Sequence, residues 1–394
     1  MIIDYFCAFK KIMEKITLRT TNHHQSDIFI DTDFTHFNTI LQNFNADERS
    51  VFAVVDEKVD ELYGSRFPFP KLTIKADEAH KTLETVELIL HWLMGQGAGR
   101  DALLLGVGGG VTTDVCGFAA AIYKRGIDCA FVPTTLLAMI DASIGGKNGV
   151  NVLGFKNMAG TVRQPKWVFA SCDFLRSFSR QELYKALPEM FKVFLIKGEY
   201  FHEAADFFAK NDVNAVGFFE KMQFFISEAV RIKCGVVTAD EFEEGRGGIG
   251  RRILNLGHTF AHAIEHCTAR YSHGEAVGIG LVEAAKNGHC DDIQQIENAL
   301  KACGLPYQLP EEISVAEMKS AISQDKKKHQ RPRKLDRSGG RRQNTYAKIY
   351  YGRDYFLTSE GLDDVGILEA GTPFALRRLC SSLLTAVRLN FFSN

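Results

Sequence analysis

Apolar positions in the first 175 residues fall into two rhythms. "IFIDTDF" (Ile28–Phe34), "VFAVVDE" (Val51–Glu57), "DALLLGVGG" (Asp101–Gly109) and "DCAFVPTT" (Asp128–Thr135) are short, dense apolar runs closed by polar residues or glycine, the pattern of buried strands. Between them "HKTLETVELILHWLMGQGA" (His80–Ala98) repeats its apolar residues at helical spacing. Strands alternating with helices predict a parallel sheet with helices on its faces. After Phe174 the strand signal fades. Helical periodicity runs through "RQELYKALPEMFKVFLIKG", "AVGFFEKMQFFISEAVRIKCGVV", "RRILNLGHTFAHAIEHC" and "EAVGIGLVEAAKNGHC". The pattern therefore divides the chain into an α/β domain over 1–175 and an all-α domain over 176–328, with an expected ligand cleft between them. Residues 329–394 form an atypical stretch that opens with the basic, polar "HQRPRKLDRSGGRRQNTY".

Composition narrows the picture. The 394 residues are 45% hydrophobic and 24% charged with a net charge of −1, ordinary for a globular protein of two domains. Near-neutral charge speaks against nucleic acid or membrane as partner. No run of about 18 apolar residues predicts a membrane span, and no signal peptide is read in "MIIDYFCAFKKIMEK", where Asp4 interrupts the apolar residues. Nine scattered cysteines without a CxxC pair fit reduced thiols and a cytoplasmic location. The basic stretch from Lys326 to Arg342 holds nine Lys or Arg but few aromatic residues, which favours a solvated tail over a nucleic-acid arm.

Three segments carry candidate chemistry. In "LLLGVGGGVTTDVCGFAAAIYKRGI" the glycines Gly106, Gly108, Gly109 and Gly110 stand between a strand and a helix. There, backbone amides can approach a pyrophosphate beside the positive end of the helix. The spacing is GxGGG rather than GxGxxG, and a tight strand–helix turn would use the same glycines; Asp114 on the first helical turn suits capping equally well. The next segment, "VPTTLLAMIDASIGGKNGVNVLGFKNMAGTVRQP", reads as a long glycine-rich loop and offers Thr134, Thr135, Asp141, Lys147, Lys156 and Asn157, a mixture suited to an anionic, hydroxylated ligand. In the third, "LNLGHTFAHAIEH", His258, His262 and His266 recur every four residues on one face of an expected helix. His258 with His273 of "SHGEAVGIG" and Glu189 of "LPEMFK" would make a two-histidine, one-carboxylate catalytic zinc set, although a histidine on an apolar helix face is more often a core residue. His266 reads as a surface residue or a partner for the helix C-terminal dipole.

The blocks "GGGVTTDVCGFAAAIYKRGI", "PTTLLAMIDASIGGKNGVN", "KNMAG", "LPEMFK", "LNLGHTFAHAIEH" and "HGEAVGIG" follow one another as in the 3-dehydroquinate synthase family, which the chain resembles from about Val54 to about Lys327. The resemblance implies an α/β NAD-binding, Rossmann-like domain and an all-α metal-binding domain, in a homodimer. It implies a shikimate-pathway reaction that converts 3-deoxy-D-arabino-heptulosonate 7-phosphate to 3-dehydroquinate and phosphate. A hydroxyl is oxidised by NAD, phosphate leaves by β-elimination, the ketone is reduced again, the ring opens and an enolate closes as an aldol. By the same resemblance Glu189, His258 and His273 hold Zn2+, with Co2+ as the other candidate. His262, Lys147, Asn157, Lys192, Lys233, Arg251, Asn255 and Lys327 (or Lys326) face the substrate, with Arg125 reaching across the dimer interface. NAD falls to Asp56, Glu78, Lys81, Gly108, Gly109, Gly110, Asp114, Thr134, Thr135, Asp141 and Lys156.

The chain departs from the family in a glycine-rich insertion between Glu243 and Arg251, in Lys58 and Ala261, and most of all beyond Lys328, where the sequence no longer follows the family's closing segment. That stretch is expected not to be a native closing segment. The competing expectations share the fold: a sugar phosphate cyclase of the 2-deoxy-scyllo-inosose or valiolone type, or a glycerol-dehydrogenase-like metal alcohol dehydrogenase. The intact "DASIGGKNGVN" argues against the first and the set of lysines and arginines against the second.

Overall fold

The computed structural model describes residues 13–44, 49–245, 250–288, 290 and 293–329, with backbone alone at 315 and 324–329. The atypical stretch expected from 329 therefore lies, beyond His329, outside the described residues. Two compact units emerge: residues up to Leu183 together with Asn211–Glu244, and Tyr184–Lys210 together with residues from Gly245 onward. This differs from a single cut at residue 175. The segment Asn211–Glu244 was expected in the all-α half, but its helix Phe218–Ala239 packs against strands of the first unit, and Gln223 donates to the Ile30 carbonyl at 3.0 Å.

The strands of the first unit are β1 (Glu14–Arg19), β2 (Gln25–Asp31), β3 (Val51–Asp56), β4 (Lys71–Ile74), β5 (Leu103–Gly108), β6 (Asp128–Pro133), β7 (Lys147–Val152), β8 (Phe155–Val162) and β9 (Trp167–Ser171). Seven of them form one sheet in the order β1-β2-β9-β6-β5-β3-β4, parallel throughout except for β1 against β2. Every residue of β5 and β9 is buried, as expected for strands covered on both faces. From β3 the chain first moves outward to β4, then returns to place β5 on the other side of β3. The order thus reverses between β3 and β5, and the crevice at the carboxyl ends of two such strands is where open α/β sheets bind ligands. Strands β7 and β8 pair as a separate antiparallel hairpin, so the long loop expected after Pro133 carries a structure of its own.

The second unit contains the helices Leu187–Lys197, Phe201–Lys210, His258–Cys267, His273–Asn287, Ile293–Ala302 and Val315–His329. Leu187, Phe191, Phe194, Phe208, Ile264, Val277 and Leu300 supply its core. The expected helix over Leu254–His266 is interrupted. Gly250–Asn255 forms a 3₁₀ turn, and Gly257, at φ +79°, caps an α-helix that begins at His258. No helix among the described residues is long and apolar enough to cross a membrane.

Candidate nucleotide loop and metal centre

Strand β5 ends at Gly108, and the helix Gly110–Ile122 starts two residues later with Gly109 as its N-cap. Gly108 is compulsory here: a Cβ at this position would come within 2.3 Å of Thr112 Oγ1 and 3.1 Å of the Asp56 Cβ. Asp56 closes β3 beside this turn and accepts from the Lys58 amide at 2.9 Å, and burial pushes its carboxyl up. Thr134 donates its amide to the Gly108 carbonyl at 2.9 Å, and the Thr135 hydroxyl accepts from Ala138. Asp56, Gly108–Gly110, Thr134 and Thr135 therefore gather at the carboxyl edge of β3, β5 and β6, next to the topological reversal.

A second cluster ties the hairpin to this loop. Lys81, nearly buried, reaches Asp114 at 2.5 Å and Asn157 at 2.7 Å. Asn151 on β7 donates to Glu78 at 2.8 Å and accepts from the Asn157 amide at 2.9 Å. Asn157 sits at φ +54°, and this network holds it there. Sequence reasoning missed Asn151, whose neutral side chain carries no motif of its own. Lys156, on the hairpin, is exposed.

Burial pushes the Asp114 carboxyl up to about 6 against the opposing pull of Lys81. A carboxyl raised from 3.8 favours folding while protonated, and that contribution is lost as pH rises through about 6. Asp114→Asn removes the titration. The wild-type unfolding free energy, relative to that of the variant, is expected to fall by on the order of 2–3 kcal/mol from pH 4 to pH 7. Lys81 loses its partner equally at every pH in that range, so the slope measured by denaturant titration, not the offset, is the test.

Two further lysines of the first unit are ion-paired. Lys233, buried on the helix Phe218–Ala239, bonds both the carboxylate and the carbonyl of Asp141. Lys147, at the start of β7, pairs with Glu243, a residue absent from the sequence-based set. Arg125 is exposed at φ +68° and has no partner among the described residues.

In the second unit three expected residues converge. Glu189 and Lys192 stand one turn apart on the helix Leu187–Lys197, wholly buried and ion-paired. Glu189 Oε1 lies 3.4 Å from His258 Nε2 and 3.2 Å from His273 Nε2. The ligand atoms of Glu189, His258 and His273 fall within 4.8 Å of one another. Among the described residues neither carboxylate oxygen has a well-directed hydrogen bond, although both are buried. Buried acceptors left this way suit a cation. Both outer ring nitrogens are engaged: His258 Nδ1 faces the Leu256 carbonyl at 3.3 Å, and His273 Nδ1 faces Glu265 at 3.2 Å. That arrangement leaves both Nε2 atoms directed at Glu189. Burial lowers the His258 imidazole, with Lys192 adding to the effect, so it is neutral and ready to donate. Burial also works against the Glu189 charge, but the Lys192 ammonium leads the opposing pull that holds the carboxyl well below its usual range.

His262, one turn beyond His258, has its ring 5.5 Å from that of His258 and 6.5 Å from that of His273. His266 is exposed near the helix end, as expected for a surface histidine. Arg251 is buried and Asn255 exposed on the 3₁₀ turn. The side chains of Lys326 and Lys327 lie outside the described residues.

The chain is similar to known proteins along most of its length. The family model described as 3-dehydroquinate synthase N-terminal matches residues 71–185, and that described as 3-dehydroquinate synthase C-terminal matches residues 186–328. The 3-dehydroquinate synthase of Coxiella burnetii (strain CbuK_Q154) is 37% identical over 326 residues, covering 78% of this chain and 88% of the relative. That of Campylobacter jejuni subsp. doylei is 41% identical over 269 residues, covering 65% and 74%. Among solved structures, the 2-epi-5-epi-valiolone synthase ValA of Streptomyces hygroscopicus subsp. jinggangensis, with NAD+ and Zn2+ bound, superposes with a TM-score of 0.63 at 25% identity, covering 87% of this chain and 92% of that one. With both parts of the family matched in succession and a relative followed over most of its length, the chain belongs to the 3-dehydroquinate synthase family.

Proposed function

We propose that the protein is an NAD- and divalent-metal-dependent 3-dehydroquinate synthase that converts 3-deoxy-D-arabino-heptulosonate 7-phosphate to 3-dehydroquinate and phosphate. The observation that carries this reading is the convergence of Glu189, His258 and His273 on one buried point, in a chain that also carries the glycine turn at a sheet reversal. Glu189, His258 and His273 hold the metal, whose role is to lower the pKa of a substrate hydroxyl; Zn2+ and Co2+ both suit this donor set. Bound NAD would supply a reversible hydride acceptor. It is held by the amides of Gly108, Gly109 and Gly110 and by Asp56, Glu78, Lys81, Asp114, Thr134, Thr135, Asp141 and Lys156.

The chain's own groups supply the rest. The substrate carries a phosphate and a carboxylate, and Lys147, Lys192, Lys233, Arg251 and Arg125 supply positive charge for them, with Asn157, Asn255 and Lys327 completing the set. Lys147 and Lys233 are ion-paired with Glu243 and Asp141, so an incoming anion competes with a carboxylate for each ammonium. Specificity follows, because a neutral polyol cannot replace those ion pairs. His262 offers an imidazole one turn from the metal ligand His258 and is assigned the proton that moves during elimination. Arg125, exposed and unpartnered among the described residues, serves the site of a second copy in a homodimer.

The test is phosphate release from 3-deoxy-D-arabino-heptulosonate 7-phosphate by the purified protein. Release is expected with NAD and zinc, and is expected to fall by at least about 100-fold when EDTA strips the metal or NAD is removed. Folded, NAD-binding protein that releases no phosphate under any of these conditions would overturn the assignment.

A further inference from the structure

We infer that Glu265 is a positioning residue for the metal site: its carboxylate fixes the ring of His273 and sets that ligand's donor strength. The inference rests on the proposed reading of Glu189, His258 and His273 as a metal set.

Glu265 lies seven residues beyond His258 on the same helix, so both project from one face two turns apart. It is largely buried, and its Oε1 stands 3.2 Å from His273 Nδ1, while His273 Nε2 stands 3.2 Å from Glu189. The order carboxylate, imidazole, ligand point is the arrangement by which an outer carboxylate fixes the tautomer of a metal-binding histidine and raises its basicity. Among the described residues, His258 has the Leu256 carbonyl in the equivalent place, at 3.3 Å. The two histidines are therefore unequal, one backed by a neutral dipole and the other by an anion.

The His273 backbone is fixed by a separate device. Ser272 and Glu275 form a reciprocal capping box, with the Ser272 amide donating to Glu275 at 2.9 Å, so the helix begins at His273 and at no neighbouring residue. With the backbone so fixed, the remaining freedom of His273 is rotation of its ring, and Glu265 removes it.

The experiment compares wild type, Glu265→Gln and Glu265→Ala in the full chain, reading Zn2+ affinity by chelator competition and the visible absorption of the Co2+ form. Gln keeps an acceptor oxygen but removes the charge; Ala removes both. Zn2+ affinity is expected to weaken about 10-fold in Glu265→Gln and about 100-fold in Glu265→Ala. The Co2+ spectrum should change in both, NAD affinity in neither, and kcat should recover toward wild type when Zn2+ is saturating. Glu265→Ala with wild-type Zn2+ affinity and Co2+ spectrum would overturn the inference. A wild-type protein that binds Zn2+ no better than Glu189→Gln would instead overturn the metal reading beneath it.

Discussion

Glu189→Gln is expected to lose detectable Zn2+ binding and phosphate release together, and to unfold at lower denaturant even when no metal is added. The first effect follows from removing the anionic member of a three-ligand set. The second does not depend on the metal. Glu189 is 1% exposed and ion-paired with Lys192, which is also 1% exposed, so the amide variant leaves an ammonium buried without its counter-ion. Breaking a buried pair by removing one partner costs about 3–5 kcal/mol, several times what an exposed pair is worth. His273, 3.2 Å from that carboxylate, loses the neighbouring negative charge at the same time. The double variant Glu189→Gln, Lys192→Met separates the contributions. It is expected to recover most of the stability, because the uncompensated charge is gone, and to recover none of the metal binding. Equal stability of wild type and Glu189→Gln, measured by urea titration with EDTA present, would show that this pair is not buried in solution as it is in the structure.

That dependence explains what was legible in the sequence and what was not. Strands β3, β5 and β6 and the glycine turn could be read directly, because dense apolar runs ending in glycine leave few other conformations. Spacing brought His258 and His262 to one face, and showed that His266 lies near the helix end. Spacing alone left Glu189 and His273 as a weak association: they sit on other helices, and only tertiary packing brings their atoms within 4.8 Å. The family resemblance, not periodicity, singled them out. Glu265 and Glu243 stayed hidden for a different reason. A glutamate on a helix or a turn is read as solvated, and nothing local says that its partner is His273 or Lys147. The i, i+7 relation of Glu265 to His258 was the available signal. The helix Phe218–Ala239 was recognised as a helix, but its packing against strands of the first unit could not be read, since periodicity reports an apolar face and not which surface covers it. The hairpin β7–β8 was read as a loop because its turn residues Leu153 and Gly154, together with Asn157 on β8, all at positive φ, interrupt the strand pattern.

Gly280→Ala is expected to destabilise the second unit by at least about 2 kcal/mol and to weaken its metal affinity, although alanine is the better helix former. Gly280 lies inside the helix His273–Asn287, where exchanging glycine for alanine favours the helix by about 0.5–1 kcal/mol. Against that gain stands one contact. A Cβ at Gly280 would come 2.2 Å from the carbonyl oxygen of Gly257, about 1 Å inside ordinary contact, and 3.2 Å from the Ala261 amide. The obstacle is backbone, so no rotamer relieves it and the helices must separate. Overpacking of this kind typically costs about 1–3 kcal/mol and more when the backbone has to move, so the clash outweighs the propensity. Gly257 is also the residue whose left-handed conformation starts the His258–Cys267 helix, and its own Cβ position is blocked at 2.9 Å by the Leu281 amide. Pushing it outward moves His258 relative to His273, and a displacement near 1 Å is enough to spoil a ligand set. Gly278→Ala is the matched control: it lies on the same helix with the same propensity gain, but its Cβ would meet only Pro188 Cγ at 3.2 Å and Leu300 Cδ2 at 3.3 Å, side-chain atoms that can yield. Urea titrations of the two variants, with chelator-buffered Zn2+ binding, are expected to leave Gly278→Ala within about 1 kcal/mol of wild type while Gly280→Ala falls in both stability and affinity. If the two variants behave alike, the close approach of Gly280 to Gly257 is not what holds the two histidine-bearing helices in register.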